Sequence, residues 1–257
     1  MLQQVDIATK RLADYASIAG EEAVAEIREL AAPLRGARVL HINATAYGGG
    51  VAEILQTLVP LMRDVGLDAQ WQVIAGADEF FTVTKACHNG LQGMPGPLTP
   101  EMQAIWRRYN ELNAARLEGE YDYIVVHDPQ PAGLLRYHGA QGGRHWMWRC
   151  HIDTSHPNPA YWGFFAPYIS EYEVGIFTSQ QYVGPGACFK HLAIIPPTID
   201  PLSPKNVLLP PEQARQVVAR FGVDVGRPLI TQVSRFDPWK DPLGVIDAYR
   251  IVKARVP

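Results

Sequence analysis

Apolar positions along the chain follow two spacings in turn. Short continuous apolar runs predict buried strands over residues 37–43, 70–75, 121–128, 145–153, 174–179 and 192–196. Between them, apolar residues recur every three or four positions, which predicts amphipathic helices over residues 21–32, 51–62, 79–92, 101–117 and 161–170. Because buried strands alternating with helices are typical of parallel sheets, this pattern predicts an α/β fold whose sheet is covered on both faces.

Proline changes this pattern at two places. Pro60 lies inside the second predicted helix, and we expect it to kink that helix or loosen one turn, because proline has no amide hydrogen. Residues 196–211 contain six of the 21 prolines and predict a semi-rigid spacer at a domain boundary. Beyond the spacer the pattern predicts a helix over 212–221, a strand within 227–236, and a last helix that begins with Asp241 as cap and Pro242 in its first turn.

Composition excludes several classes of protein. The chain has 257 residues with 47% hydrophobic and 19% charged residues, which excludes a fully disordered protein. A net charge of -3 does not favour binding to nucleic acid or to an anionic membrane. We expect a cytoplasmic protein without disulfides, because no signal peptide or membrane helix is evident and the three cysteines are dispersed. The eight histidines show no metal-ligand spacing, so no metal site is expected.

A glycine loop follows the first predicted strand. Asn43 ends that strand, and Gly48, Gly49 and Gly50 lead directly into a predicted helix. A helix N-terminus with free backbone amides suits an anion or sugar hydroxyls, so we predict that Asn43, Gly49 and Gly50 contact a ligand. The loop is not a phosphate loop, since no Lys-Ser or Lys-Thr follows, and Glu53 occupies the third glycine position of the dinucleotide fingerprint. A tight turn without a ligand is the alternative.

Histidine and aspartate follow two further strands, and the carboxyl ends of parallel strands are where ligands bind. His127 and Asp128 end the third strand and are candidate binding residues; the alternative is a buried, hydrogen-bonded histidine beside a helix cap. Alternation along the next strand places Arg149 and His151 on one side and Cys150 on the other, which makes a Cys-His nucleophile pair improbable. We favour a functional role for His151 over a capped strand end.

Two cations lie in the segment between the last predicted strand and the last predicted helix. Arg235 leaves the strand, and Lys240 comes just before the helix N-terminus. Together with free helix amides they predict a phosphate site, and a solvated surface loop is the alternative.

These motifs resemble a known family. The stretches HINATAYGGGVAEILQTLVPLMRDVGLDAQW, FFTVTKACHNGLQG, VVHDPQPAGL, WRCHIDTS and VSRFDPWKDP are similar to retaining glycosyltransferases of family 4, and more narrowly to the group of trehalose synthases and trehalose phosphorylases. The resemblance implies the GT-B type of α/β fold. It implies an N-terminal helical segment (residues 1–36), one complete Rossmann-like domain on the acceptor side (37–200), and a linker with the start of an incomplete nucleotide-sugar domain (201–257).

The resemblance also implies an activity. Such an enzyme moves glucose from a nucleoside-diphosphate-glucose donor to glucose, reversibly, and forms trehalose with retention at the donor carbon. Gly49 and Gly50 would then lie near donor and acceptor, His151 would contact the donor glucose, and Arg235 and Lys240 would hold the diphosphate. Asp128 would lie on the acceptor side. No cofactor is implied; the partners are sugars and sugar nucleotides, without nucleic acid or membrane, and a homo-oligomer is left open.

Two other interpretations stay open from the sequence. A trehalose phosphorylase would use the same two cations to hold inorganic phosphate. A sugar-binding fragment without catalysis is the third, because the family carries a glutamate pair (E-x7-E) in its second domain that this chain does not contain. We therefore expect a family member truncated at Pro257 and inactive by itself.

Overall fold

A computed structural model describes residues 2–140, 145–234, 236 and 238–256. The chain divides into two compact units, residues 1–202 and residues 203–257. Of the helices within the described residues, none is both long and apolar enough to cross a membrane.

The first unit is built on a seven-stranded sheet with the order β1-β3-β2-β4-β5-β6-β7. Every neighbouring pair is parallel except β1 with β3, which is antiparallel. The strands are β1 (Gln3–Gln4), β2 (Arg38–Asn43), β3 (Asp68–Val73), β4 (Tyr123–His127), β5 (His145–Cys150), β6 (Val174–Phe177) and β7 (His191–Ile194). The predicted α/β fold with a parallel sheet is therefore confirmed. The short strand β1 at the edge of the sheet is an addition that no apolar run in the sequence predicts.

Helices cover both faces of this sheet. They are α1 (Ala16–Ala19), α2 (Glu21–Ala31), α3 (Gly50–Asp64), α4 (Asp78–Leu91), α5 (Pro100–Ala114), α6 (Leu134–His138) and α7 (Pro159–Ile169). Helices α4 to α7 pack on one face around Trp106, Trp148 and Phe165, which are fully buried. Helix α3 packs on the other face, where Leu55 and Val59 contact the apolar side chains of β2 and β3. The two faces thus form separate cores on a shared sheet.

Pro60 does not end helix α3. The helix runs from Gly50 to Asp64, and Pro60 is buried within it. Its ring packs against the rest of the unit, and this tertiary burial compensates for the hydrogen bond that proline cannot donate.

An aspartate ties the N-terminal segment to the end of the first unit. Asp200 accepts hydrogen bonds from Lys10 Nζ at 2.7 Å, Tyr15 Oη at 3.0 Å and Thr57 Oγ1 at 3.0 Å. Burial by itself would raise the pKa of Asp200, but these donors outweigh it and lower the pKa to about 2. The chain therefore leaves the sheet from a fixed point, two residues before the unit ends.

The second unit contains helices α8 (Pro211–Ala219) and α9 (Pro242–Lys253). The predicted cap is confirmed, because Asp241 Oδ1 accepts a hydrogen bond from the Gly244 amide at 3.1 Å and Pro242 opens α9. The strand predicted within 227–236 is wrong: residues 227–234 and 236 have no strand structure. A strand needs a partner for its ladder, and the described part of residues 203–256 offers none.

Candidate functional site

The polar strand ends of the first unit meet at one edge of the sheet. From β2 the sheet extends to β3 in one direction and to β4 in the other, so the order reverses between β2 and β4. Crevices in open parallel sheets form outside the carboxyl ends of the strands at such a reversal. In register, Ile42 lies opposite Val126, and His127 lies opposite Arg149. The ends of β2, β4 and β5 are therefore neighbours.

The glycine loop lies at this edge of the sheet, between β2 and α3. Gly48 has a φ of +77°, a conformation that glycine adopts without strain, and Gly49 precedes the first residue of α3. A Cβ atom at Gly49 or Gly50 would meet nothing within 4 Å, so space is free around the first amides of the helix. Glu53 in that first turn adds negative charge. Free amides beside a carboxylate suit sugar hydroxyls better than phosphate.

Asn43 supports the entry to that loop. Its Oδ1 accepts a hydrogen bond from Trp71 Nε1 at 2.7 Å, and its Nδ2 donates to the Thr45 carbonyl oxygen at 2.8 Å. The side chain is buried, and these contacts satisfy both ends of the amide. The structure thus gives Asn43 a supporting position below the loop, and its predicted contact with a ligand stays a prediction.

Asp128 is buried at the end of β4 in an unusual backbone conformation. Its φ is +63°, which is uncommon for a residue with a side chain. Its Oδ1 accepts a hydrogen bond from the His151 amide at 2.8 Å, and its carbonyl oxygen accepts one from Trp148 Nε1 at 3.0 Å. Burial raises the pKa of Asp128 to about 7, against the opposite effects of the His151 amide and the Arg149 cation. Near neutral pH this carboxyl can therefore accept or donate a hydrogen bond.

Three histidines form a row across the sheet. His41 Nδ1 lies 3.0 Å from His127 Nε2, and His127 Nδ1 lies 2.9 Å from His151 Nε2. The rings of His127 and His151 stack with centroids 5.2 Å apart. His41 and His127 are buried, whereas His151 is half-buried at the edge of the sheet. We call these three side chains the histidine row.

The histidine row is uncharged near neutral pH. Burial, together with the positive charge of Arg149, lowers the pKa of His41 to about 3 and that of His151 to about 4. Burial and the neighbouring rings hold the pKa of His127 well below its usual value. The row adds hydrogen-bonding groups to the site but no charge, so Arg149 is the cation beside Asp128.

Cys150 points away from these residues. It is fully buried in the core formed with α4 to α7, and burial raises the pKa of its thiol well above the usual value. The separation of Cys150 from His151 is confirmed, and a buried neutral thiol is a poor nucleophile. Within the described part of the chain, no group of three or more His, Cys, Asp or Glu side chains is arranged to hold a metal ion.

The predicted phosphate site lies in the second unit. Lys240 ends a short 3-10 turn (Pro238–Lys240) directly before the cap of α9, as predicted. Arg235 lies outside the described residues.

Sequence reasoning singled out His127, Asp128 and His151, and the structure brings these three together. It missed His41 and Arg149 as parts of the same cluster. His41 interrupts an otherwise apolar strand, and that interruption was the available signal. Its meaning depends on the pairing of β2 with β4, which the chain order does not specify.

Curated trehalose synthases and trehalose phosphorylases are similar in sequence to this chain. It is 54% identical over 260 residues to a trehalose synthase of Rubrobacter xylanophilus, covering 100% of this chain and 62% of the relative. It is 47% identical to a trehalose synthase of Thermococcus litoralis, covering 96% and 60%. A trehalose phosphorylase of Pleurotus pulmonarius is 25% identical, with 93% of this chain and 37% of the relative covered. The chain thus spans about 60% of the length of the trehalose synthases it matches.

A solved trehalose-6-phosphate synthase superposes on 72% of this chain and 55% of its own, at a TM-score of 0.49 and 14% identity. The family described as "Trehalose synthase, N-terminal domain" matches residues 41–184, which include the glycine loop, Asp128 and the histidine row. That match covers more than half of the chain and every residue of the edge described above. The chain belongs to the trehalose synthase family.

Proposed function

We propose that this protein is part of a retaining glycosyltransferase of the GT-B type. The enzyme moves glucose from a nucleoside-diphosphate-glucose to glucose and forms trehalose reversibly. The observation that carries this proposal is the clustering of Gly49, Gly50, Asp128 and His151 at one sheet edge within the segment that matches the trehalose synthase N-terminal domain. Free cysteines, one of them exposed, support a cytoplasmic location.

The edge of the first unit supplies groups suited to sugar hydroxyls. The amides at Gly49 and Gly50 donate hydrogen bonds, and Asp128 accepts them when ionised. In this proposal His151 contacts the donor glucose and Asp128 contacts the acceptor glucose. Uncharged histidines beside a partly ionised carboxyl bind neutral sugars without requiring a charged substrate group there.

The leaving group requires positive charge. Breaking the bond between glucose and the diphosphate builds negative charge on the diphosphate, and fixed cations aimed at it lower that barrier. We assign this role to Arg235 and Lys240. The acceptor hydroxyl then attacks from the face of the leaving group and gives its proton to a phosphate oxygen. This route needs no protein nucleophile, and a carboxylate pair at about 5–5.5 Å would be needed for the alternative double displacement.

The test uses the protein at the full length that its gene encodes. It is incubated with labelled glucose and a panel of nucleoside-diphosphate-glucose donors, and the products are identified by chromatography and by NMR of the anomeric protons. We expect labelled α,α-trehalose with at least one donor. The proposal fails if no donor gives trehalose and if trehalose with nucleoside diphosphates gives no sugar nucleotide.

A charge-removing variant tests the leaving-group role. We expect Lys240→Ala to lower kcat/KM by about 10²–10³-fold, by analogy with the loss of one oxyanion donor, and to leave the thermal melt unchanged. Lys253→Ala, at the far end of α9, is the matched control and retains activity. Equal activity of the two variants would remove Lys240 from the site.

A phosphorylase is the second candidate, because trehalose phosphorylases match most of this chain. In that case Arg235 and Lys240 hold inorganic phosphate, which attacks trehalose. Release of glucose 1-phosphate from trehalose and phosphate, without any nucleotide, distinguishes this reaction from the transferase. For the non-catalytic alternative, a sugar-binding measurement on the 257-residue chain beside the turnover assays shows whether the chain binds sugar without turnover.

A further inference from the structure

The histidine row has a feature that its individual contacts do not explain. One nitrogen, His41 Nε2, is buried and has no hydrogen-bond partner. It lies at the inner end of the row, whereas the half-buried His151 lies at the outer end. The state of the buried end restricts the state of the outer end, because the two contacts of the row share the ring of His127.

A neutral imidazole has one N–H donor and one acceptor nitrogen. His127 uses both nitrogens within the row, Nε2 toward His41 and Nδ1 toward His151. It therefore accepts from one neighbour and donates to the other, so all hydrogen bonds of the row run in the same direction. The direction is outward, from His41 to His151, or inward, from His151 to His41.

The unpartnered nitrogen decides between these directions. An inward row requires His41 Nδ1 to accept, which places its proton on Nε2 and buries an N–H group without an acceptor. An outward row places the proton on Nδ1 and leaves only a lone pair unpartnered at Nε2. Orphaned buried N–H groups are rarer than acceptors without a partner. The nearby cation Arg149 also favours a lone pair over a further N–H dipole in this region.

We infer that His41 and His127 are positioning residues that hold His151 in the tautomer with its proton on Nδ1. His41 Nδ1–H donates to His127 Nε2, and His127 Nδ1–H donates to His151 Nε2. Because His151 Nε2 is occupied as an acceptor, His151 offers an N–H donor from Nδ1 at the sheet edge. No described side chain or backbone group accepts a hydrogen bond from this nitrogen.

The consequence for binding rests on the proposed function. A half-buried N–H donor in a fixed tautomer recognises an oxygen atom that carries lone pairs, such as a hydroxyl oxygen of the donor glucose. A free histidine would divide its population between two tautomers, and only one of them would bind. Because the row holds His151 in the binding tautomer before the sugar binds, no free energy is spent on selecting that tautomer. His41 and His127 thus preorganise the site without contacting the substrate.

The direct test is NMR on the chain with ¹⁵N-labelled histidine, near neutral pH and without any sugar. Long-range spectra that join ring nitrogens to ring carbon protons distinguish a protonated Nδ1 from a protonated Nε2. We expect His41, His127 and His151 all to carry the proton on Nδ1. A proton on Nε2 in any of the three overturns the inference, whatever the activity of the protein.

Two substitutions at the buried end test the coupling. The amide nitrogen of His41→Asn can donate where Nδ1 does, so we expect His151 to keep its tautomer. His41→Leu removes the donor, and we expect His151 to show a mixture of both tautomers. In the full-length enzyme we expect His41→Leu to lower kcat/KM for the sugar nucleotide about tenfold, as for one hydrogen bond, while His41→Asn stays within about threefold of the wild type.

The outcomes separate the inference from the proposed function. If His41→Leu unfolds the chain, the wild-type spectra and His41→Asn still decide the tautomers. Wild-type tautomers as expected, with equal activity of both variants in an active enzyme, overturn the positioning role. An enzyme without transferase activity overturns the proposed function, and the NMR result for the row stands independently.

Discussion

The two units of the chain differ in how many apolar side chains they bury. Residues 2–202 bury two apolar cores around a parallel sheet, with Trp71, Trp106 and Trp148 fully enclosed. Among the described residues of 203–256 no side chain is buried, and Phe236 and Val233 are 98% and 94% exposed. Both units nevertheless contain amphipathic helices that begin and end near the predicted residues.

This contrast separates local signals from tertiary ones. Helix α9 forms where Asp241 and Pro242 specify its start, since a helix makes its backbone hydrogen bonds within one segment. The apolar run within 227–236 has no local way to satisfy its backbone and forms no strand among the described residues there. Patterning is sufficient for the helices of the second unit, whereas a strand also requires a neighbouring strand.

The largest expected difference between the units concerns buried and exposed phenylalanines. Phe165 is fully buried against Trp106, with ring centroids 5.1 Å apart, whereas Phe221 is 82% exposed. We expect Phe165→Ala to lower the free energy of unfolding by about 3–5 kcal/mol, since it leaves a cavity. The matched change Phe221→Ala is expected to stay within about 0.5 kcal/mol. Urea unfolding followed by tryptophan fluorescence measures the first variant, and hydrogen exchange of the α8 and α9 amides measures the second. Similar losses would show that the second unit has a core of its own.

Acid is expected to destabilise the first unit through the histidine row. The lowered pKa values of its three histidines mean that between pH 6.5 and 4.5 the unfolded chain binds protons that the folded chain does not. Asp128, with its raised pKa, acts in the opposite direction, because there the folded state holds the extra proton. The net difference of roughly two protons lowers the free energy of unfolding by about 2–3 kcal/mol for each pH unit of acidification.

Urea unfolding at several pH values measures this slope. His127→Gln removes one of the titrating groups, and we expect its slope to be smaller by about 1.4 kcal/mol per pH unit. A stability that is constant between pH 6.5 and 4.5 would mean that the row is charged or accessible to water. The helices of the second unit have no buried histidine and should keep their helical content over the same range.

The smallest expected effect is local to the second unit. Asp241→Ala removes the side chain that caps α9, and we expect it to reduce the protection of the α9 amides against hydrogen exchange by about 1 kcal/mol. The urea midpoint of the tryptophan signal should not change, because five of the six tryptophans lie in residues 71–162. A shifted midpoint would indicate that the folding of the two units is coupled.

Much of the fold could be predicted because most strands and helices of the first unit have their own periodic pattern. The helix predicted over 79–92 forms at Asp78–Leu91, and the strand predicted over 174–179 forms at Val174–Phe177. The two-residue strand β1 could not be predicted, since Gln3 and Gln4 carry no apolar signal and pair only because β3 presents a free edge. Pro60 remained inside its helix because burial outweighed the missing hydrogen bond.

For the candidate site, the sequence by itself determined which chemistry lies at the strand ends: the glycine loop, His127, Asp128 and His151 each lie at the end of a strand or in the segment after it. Only the tertiary structure decided how these groups act on each other. The pairing of β2, β4 and β5 places His41, His127 and His151 in one row. Burial then sets their charge and raises the pKa of Asp128, because desolvation depends on the whole packed unit and not on neighbouring residues in the chain.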